Sequence, residues 1–238
     1  MDENTNEFNQ PVGKPLPNWK ESVIPTEMKY IGRYTIVTRL SLAYTKELYD
    51  AFSQSHPSHW TYLSEERPNH FSDFERLMEK KIASNIHIYY VVINKLTEKP
   101  VGIFSLLRID PRNGVIEVGN IHFSDSLKKT AMATEAHALL AEYIFEELRY
   151  RRYEWKCDSL NAPSIHSAKR LGFTYEGTFR NAVIYKNRSR DTSWFSMLLE
   201  EWPDRKQAFH RWLSPANFDN KGEQIKRLES FRELGGAR

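Results

Sequence analysis

The stretch from Ser126 to Phe173 restricts the fold of this chain more than any other. Lys128 and Lys129 precede Thr130 and the small residues Ala131-Met132-Ala133, which open an amphipathic helix. That helix carries Ala133, Ala136, Leu140, Ile144 and Leu148 on one stripe, with Glu135, Glu142 and Glu146 pointing elsewhere. A helix start leaves backbone N–H groups unpaired and presents the positive end of the helix dipole. Small residues there, with cations just ahead, make a site for a phosphate-bearing ligand. Arg152 to Asp158 then alternates strictly, with Tyr153, Trp155 and Cys157 on one face and Arg152, Glu154, Lys156 and Asp158 on the other. This pattern predicts a half-buried strand with a charged free side. A second helix follows, with Pro163 tolerated in its first turn and Gly172 as its C-cap after Leu171.

The residues on either side extend this pattern. Arg33 to Leu40 is crowded with β-branched residues and reads as the first strand. Leu42, Lys46, Leu48, Tyr49 and Phe52 have helical spacing, and His56 to His70 reads as a loop with one helical turn. Ser72 is placed as the N-cap of a helix, with Glu75 completing a capping box and Phe74, Leu77, Met78 and Ile82 as the buried stripe. Ile86–Ile93 and Val101–Ile109 are apolar runs typical of strands covered on both faces. Asp110-Pro-Arg-Asn-Gly114 predicts a hairpin into a strand at Val115–Phe123. Phe173–Tyr185 and Thr192–Leu199 read as a last hairpin around Lys186–Asp191. Residues 1–30, broken by Pro11, Pro15, Pro17 and Pro25, should wrap or fray rather than build core, and the tail past Trp202 reads as partly helical and weakly constrained. One α/β domain over 31–202 results, flanked by an extension (1–30) and a helical tail (203–238), with a mostly antiparallel sheet.

Composition removes other classes. The 238 residues are 40% hydrophobic and 27% charged, enough to bury a core without metal or disulfide. Thirty-four Lys and Arg against 31 acids leave a formal charge of +3, too even to favour nucleic acid. A single cysteine, Cys157, fits a reducing compartment and most simply belongs to the core. No run reaches the roughly 20 apolar residues of a membrane span, so a cytoplasmic or nuclear setting is expected. His56, His59 and His70 lack a carboxylate or cysteine set at ligand spacing, and no metal is expected.

The order of elements, together with Ala133-Thr134-Glu135-Ala136, Arg152-Tyr153-Glu154-Trp155, Asn161-x-x-Ser164, Arg170-Leu171-Gly172-Phe173, Glu176-Gly177 and Glu201-Trp202, resembles the GNAT superfamily of acetyl-CoA-dependent N-acetyltransferases. Its RimJ/RimL-like branch of ribosomal-protein N-terminal acetyltransferases is the most similar. The family's pyrophosphate segment, Gln/Arg-x-x-Gly-x-Gly/Ala, appears here as Lys128-Lys129-Thr130-Ala131-Met132-Ala133. Lys lacks the bidentate fork of Arg, and Ala131 adds one methyl where Gly allows the closest approach.

The resemblance implies a splay between the fourth and fifth strands, Val115–Phe123 and Arg152–Asp158, into which the pantetheine arm of acetyl-CoA would enter. Ile121, His122 and Phe123 would pair with that arm, and Lys128 to Thr134 would hold the diphosphate. Asn161 would anchor the arm from the other wall, and Ser164 would protonate the departing thiolate. A primary amine acceptor must lose a proton first, and Glu117 is the first choice of base, with Glu154 and Asp158 as alternatives. Each residue also has a plainer role: Asn161 and Ser164 as helix caps, Glu117 as an ion-pair partner within the sheet. The acids around the cleft mildly favour a cationic acceptor. A non-catalytic acyl-CoA-binding domain on the same fold is the competing function, and monomer and homodimer both remain open.

Overall fold

Strands rich in β-branched and aromatic residues assemble into an eight-stranded sheet in the computed structural model, which describes residues 4–26 and 29–232. A separate small hairpin of β1 (Asn4–Thr5) and β2 (Pro11–Val12) opens the chain. The sheet contains β3 (Lys29–Ile31), β4 (Thr35–Arg39), β5 (His87–Asn94), β6 (Pro100–Asp110), β7 (Val115–Phe123), β8 (Arg152–Asp158), β9 (Thr174–Tyr185) and β10 (Arg188–Leu198). Their spatial order is β3-β4-β5-β6-β7-β8-β10-β9, and every pairing is antiparallel except β7–β8.

Helices cover both faces. On one face lie α1 (Thr45–Ser53) and α2 (Phe71–Ile82), whose Leu48, Phe52, Phe74 and Met78 pack with Tyr89, Val91, Ile93 and Ile103. On the other lie α3 (Ala131–Glu142), α4 (Ala162–Leu171) and α5 (Trp202–Trp212), over Val92, Phe104, Leu106, Ile116, Val118, Tyr153 and Trp155. β5 gives alternate residues to both cores, which explains its unbroken apolar run. Each such side chain, fully buried, contributes about 1.5–3 kcal/mol.

Residues 19–23 lie against the rear of the β6–β7 hairpin. Trp19 Nε1 donates to Arg112 O at 2.9 Å, Ser22 N to Pro111 O at 2.9 Å and Val23 N to Leu148 O at 2.8 Å. Gly114 is required twice over: its φ is 63°, and a Cβ there would strike the Trp19 indole.

Several expectations need correction. The N-cap of α2 is His70, so Ser72 lies inside the helix and forms no capping box. Only Lys186 and Asn187, both at positive φ, turn the last hairpin, and β10 begins at Arg188. β3 extends the sheet beyond the strand read at Arg33–Leu40. Over residues 203–232 the C-terminal tail is firmly held, because Phe209, Trp212 and Leu228 are buried in the α3 core; the rest of the tail, 233–238, lies outside the described residues. Glu135 is also buried: it accepts the N–H groups of Arg33, Tyr34 and Thr35, each at 2.7 Å.

Candidate active site

The two strands flagged for a splay do part. β7 and β8 pair in parallel only from Val115–Arg152 to Val118–Trp155, while β7 runs on to Phe123 and β8 to Asp158. The cause lies in β7 itself. Between the Ser105–Gly119 and Ile103–His122 pairings β7 has one residue more than β6, and Asn120 takes φ 50° in that bulge. Asn120 Nδ2 donates to Ser105 Oγ at 3.0 Å, and Ser105 Oγ donates to Gly119 O at 3.2 Å, which fixes the bulge. The extra residue also changes facing: Ile116 and Val118 join the α3 core before it, Ile121 and Phe123 after it. His122 turns to the α1 side and stacks on Phe52 at 3.7 Å.

At the head of α3, Thr130 is the N-cap. Its Oγ1 donates to Leu127 O at 2.6 Å and accepts from Ala133 N at 3.3 Å. Among the described residues no acceptor meets the N–H groups of Lys129, Thr130, Ala131 or Met132. Lys129 is exposed with φ 60°. Lys128 is half-buried, and burial, partly offset by Asp125, lowers its ammonium to about 8. Thr134 faces away from this end, its Oγ1 accepting from Arg170 Nη1 at 2.9 Å and so tying α3 to α4.

Asn161 caps α4, its Oδ1 accepting from Ser164 N at 3.2 Å, and its Nδ2 has no partner among the described residues. Ser164 Oγ accepts from Trp155 Nε1 at 3.0 Å. Both residues therefore stand at the β8 wall of the fork, and the capping geometry is real.

The face of β8 read as free is instead covered. Lys156 Nζ lies 2.8 Å from Glu117 Oε2 and 2.7 Å from Glu154 Oε2, and 3.6 Å from the centre of the Trp194 ring. Arg152 donates to Glu154 Oε1 at 2.8 Å and pairs with Glu176, while Arg108 Nε stands 3.4 Å from Glu117 Oε2. Burial raises Glu117 above the usual carboxylate range despite Lys156. For Glu154 burial is outweighed by Lys156 and Arg152, and it lies below that range. Asp158 is engaged at both oxygens, by Leu160 N at 2.9 Å and Tyr185 Oη at 2.8 Å. Arg108, Lys156 and Arg152 offset Glu117, Glu154 and Glu176, so the cleft loses the acidic bias expected from its sequence.

Across the α1 side of the fork two loops meet. Lys186 Nζ donates to Trp60 O at 2.6 Å, Arg188 Nη2 to Thr61 O at 3.0 Å, and Tyr62 Oη to Leu160 O at 3.0 Å. These are the segments read from sequence as the His56–His70 loop and the Lys186–Asp191 turn. His59 Nε2 lies 3.2 Å from Asp125 Oδ1, and His56 N donates to Asp125 Oδ2 at 3.2 Å, anchoring the first loop beside the α3 approach.

The sequence pattern that defines the acetyltransferase (GNAT) domain matches residues 36–174, a span that contains the fork, the head of α3 and the Asn161–Ser164 cap. The chain belongs to the GNAT acetyltransferase family. A GCN5-related N-acetyltransferase from Brucella melitensis is 41% identical, covering 92% of this chain and all of that one, with a TM-score of 0.89. A probable GNAT-family acetyltransferase from Chromobacterium violaceum is 34% identical over 82% of this chain and 98% of that one, with a TM-score of 0.76. An uncharacterized N-acetyltransferase, p20, from Bacillus licheniformis is 33% identical over 113 residues, 48% of this chain and 63% of that relative's length. Within this GNAT domain, sequence reasoning missed Arg108 because its bulge at φ 47° has no residue signature. It missed Trp194 because nothing in the sequence marks the β8–β10 register that sets it opposite Lys156.

Proposed function

We propose that this domain transfers an acetyl group from acetyl-CoA to a primary amine by direct attack, with no covalent enzyme intermediate. The observation that carries this reading is the fork between β7 and β8, with unpaired N–H groups at the head of α3 beside it. Those groups suit a diphosphate: Lys129 to Met132 would supply N–H donors and Lys128 charge, with Ala133 and Thr134 completing the turn. Asn161 Nδ2 and the β7 backbone from Ile121 to Phe123 would hold the pantetheine arm. Bound acetyl-CoA supplies the activated acyl group as a thioester.

The chain's own residues then handle the protons. Glu154 and Asp158 have donors on both carboxylate oxygens, whereas Glu117 Oε1 has none among the described residues. A Cβ built at Gly119 would come 3.7 Å from that oxygen, so Oε1 faces along β7 toward the fork. This supports Glu117 as the base that takes the proton of the amine, whose pKa near ~10 keeps it charged at neutral pH. A β7 N–H left unpaired by β8 would face the charge developing on the carbonyl oxygen. Ser164 accepts from Trp155 and its hydroxyl also faces Cys157; that hydrogen would pass to the departing thiolate.

The RimJ/RimL-like placement rests on Ala133-Thr134-Glu135-Ala136 and Arg170-Leu171-Gly172-Phe173, and a protein N-terminus or a small-molecule amine is the acceptor class it supports. The test is calorimetry with acetyl-CoA, then thiol release with peptides bearing free N-termini, a polyamine and an aminoglycoside. No binding of acetyl-CoA removes the proposal. The ion pairing of Glu117 favours one competitor, a non-catalytic acyl-CoA-binding domain, which would bind tightly, transfer to no amine and ignore Glu117→Gln.

A further inference from the structure

Lys156 is the first β8 residue beyond the last rung that joins β7 and β8, Val118–Trp155. One rung earlier Glu117 and Glu154 stand directly opposite each other, at 5% and 4% exposure. Two buried like charges on facing positions repel and would open the strands below the fork. The Lys156 ammonium lies between them, bonded to one oxygen of each, with the Trp194 ring 3.6 Å behind it. Among the described residues the remaining charged groups that reach this point are Arg108 from β6, Arg152 from β8 and Glu176 from β9, which pairs with Arg152 and also feels Lys156. Arg108 is more than half exposed at 3.4 Å and Arg152 serves Glu154, so among the described residues Lys156 is the one buried cation bonded directly to Glu117.

We propose that Lys156 is a positioning residue for acetyl transfer: it pins the fork by holding Glu117 Oε2 and Glu154 Oε2 together, which leaves Glu117 Oε1 to receive the proton of the acceptor and sets the pH at which that oxygen is free. The proposal rests on Glu117 as base and adds a second function at the same atom. Burial raises the Glu117 carboxyl most, Glu154 raises it further, and Lys156 is the first cause opposing them. Without the cation, Glu117 meets burial and Glu154 together and gives up its proton only at higher pH.

The experiment follows the Glu117 carboxyl by carbon NMR titration, assigned through Glu117→Gln, in the full chain with Lys156→Met, Lys156→Arg and Lys156→Met/Glu154→Gln. The double variant removes the unpaired second carboxylate, so that a folded protein without the cation is available. Lys156→Met and the double variant are expected to move the Glu117 titration upward by about one pH unit or more, and Lys156→Arg to leave it near the wild-type value. The acid limb of kcat/KM, measured with the fastest acceptor of the amine panel, should move with it. Each unit is a tenfold lower rate below the limb. An unmoved Glu117 titration in both charge-removing variants overturns the proposal, as does a uniform loss of rate with an unmoved limb. A moved titration with an unmoved limb overturns Glu117 as base, and the role of Lys156 with it. Failure of acetyl transfer itself shows earlier, in the wild-type thiol assay.

Discussion

Glu135 shows how much one carboxylate can organise. Its oxygens close the turn from Arg33 to Thr35, accepting three backbone N–H groups and the Thr35 hydroxyl. Replacing it by Leu strands those donors in a part-buried turn, and a loss of about 1–3 kcal/mol is expected in urea unfolding. Gly32→Ala should weaken the same turn, since a Cβ would overlap the Glu135 carboxylate. Glu117→Gln should lower kcat about 10²–10⁴-fold with acetyl-CoA affinity unchanged, measured by thiol release and calorimetry. Single residues were legible when their environment was local. Gly172 at φ 104° and Asn161 as a cap follow from neighbouring letters. Glu135 was not, because its partners lie about a hundred residues away and its position on the helix wheel reads as solvent.

The strands and helices were largely legible, because apolar runs and turn residues set them locally; β8 and β7 keep the bounds read from sequence. What was hidden was lateral order: which strand face meets which neighbour. Alternation placed Arg152, Glu154, Lys156 and Asp158 on one side of β8, yet only the neighbouring β10 decides that this side is covered by Trp194. The arch formed by the Lys186–Arg188 turn and the Trp60–Tyr62 loop was equally invisible, being built on backbone carbonyls. A Lys186→Ala/Arg188→Ala variant should change KM for the acceptor while acetyl-CoA affinity stays constant, as read by steady-state kinetics and calorimetry. Asn161→Ala should cost about 1 kcal/mol in urea unfolding through the lost cap of α4.

For the molecule as a whole, two buried histidines govern acid sensitivity. His137 lies among Phe104, Phe123 and Trp155, His122 against Phe52 and Trp60, and burial lowers each to about 3 from the ordinary 6.5. Above pH 6.5 both are neutral folded or unfolded. Below it only the unfolded chain takes up the protons, so stability falls toward pH 3 by about 1.4 kcal/mol per pH unit for each. Urea midpoints should drop between pH 7 and 5.5, and His137→Phe should roughly halve that slope. One architectural fact reaches further. The sheet consists of two half-shells, β3 to β7 and β8 with β10 and β9, sutured along only four rungs. Any guest lodged past the last stitch splices both shells, so its arrival should register as slowed amide exchange on the two sides at once.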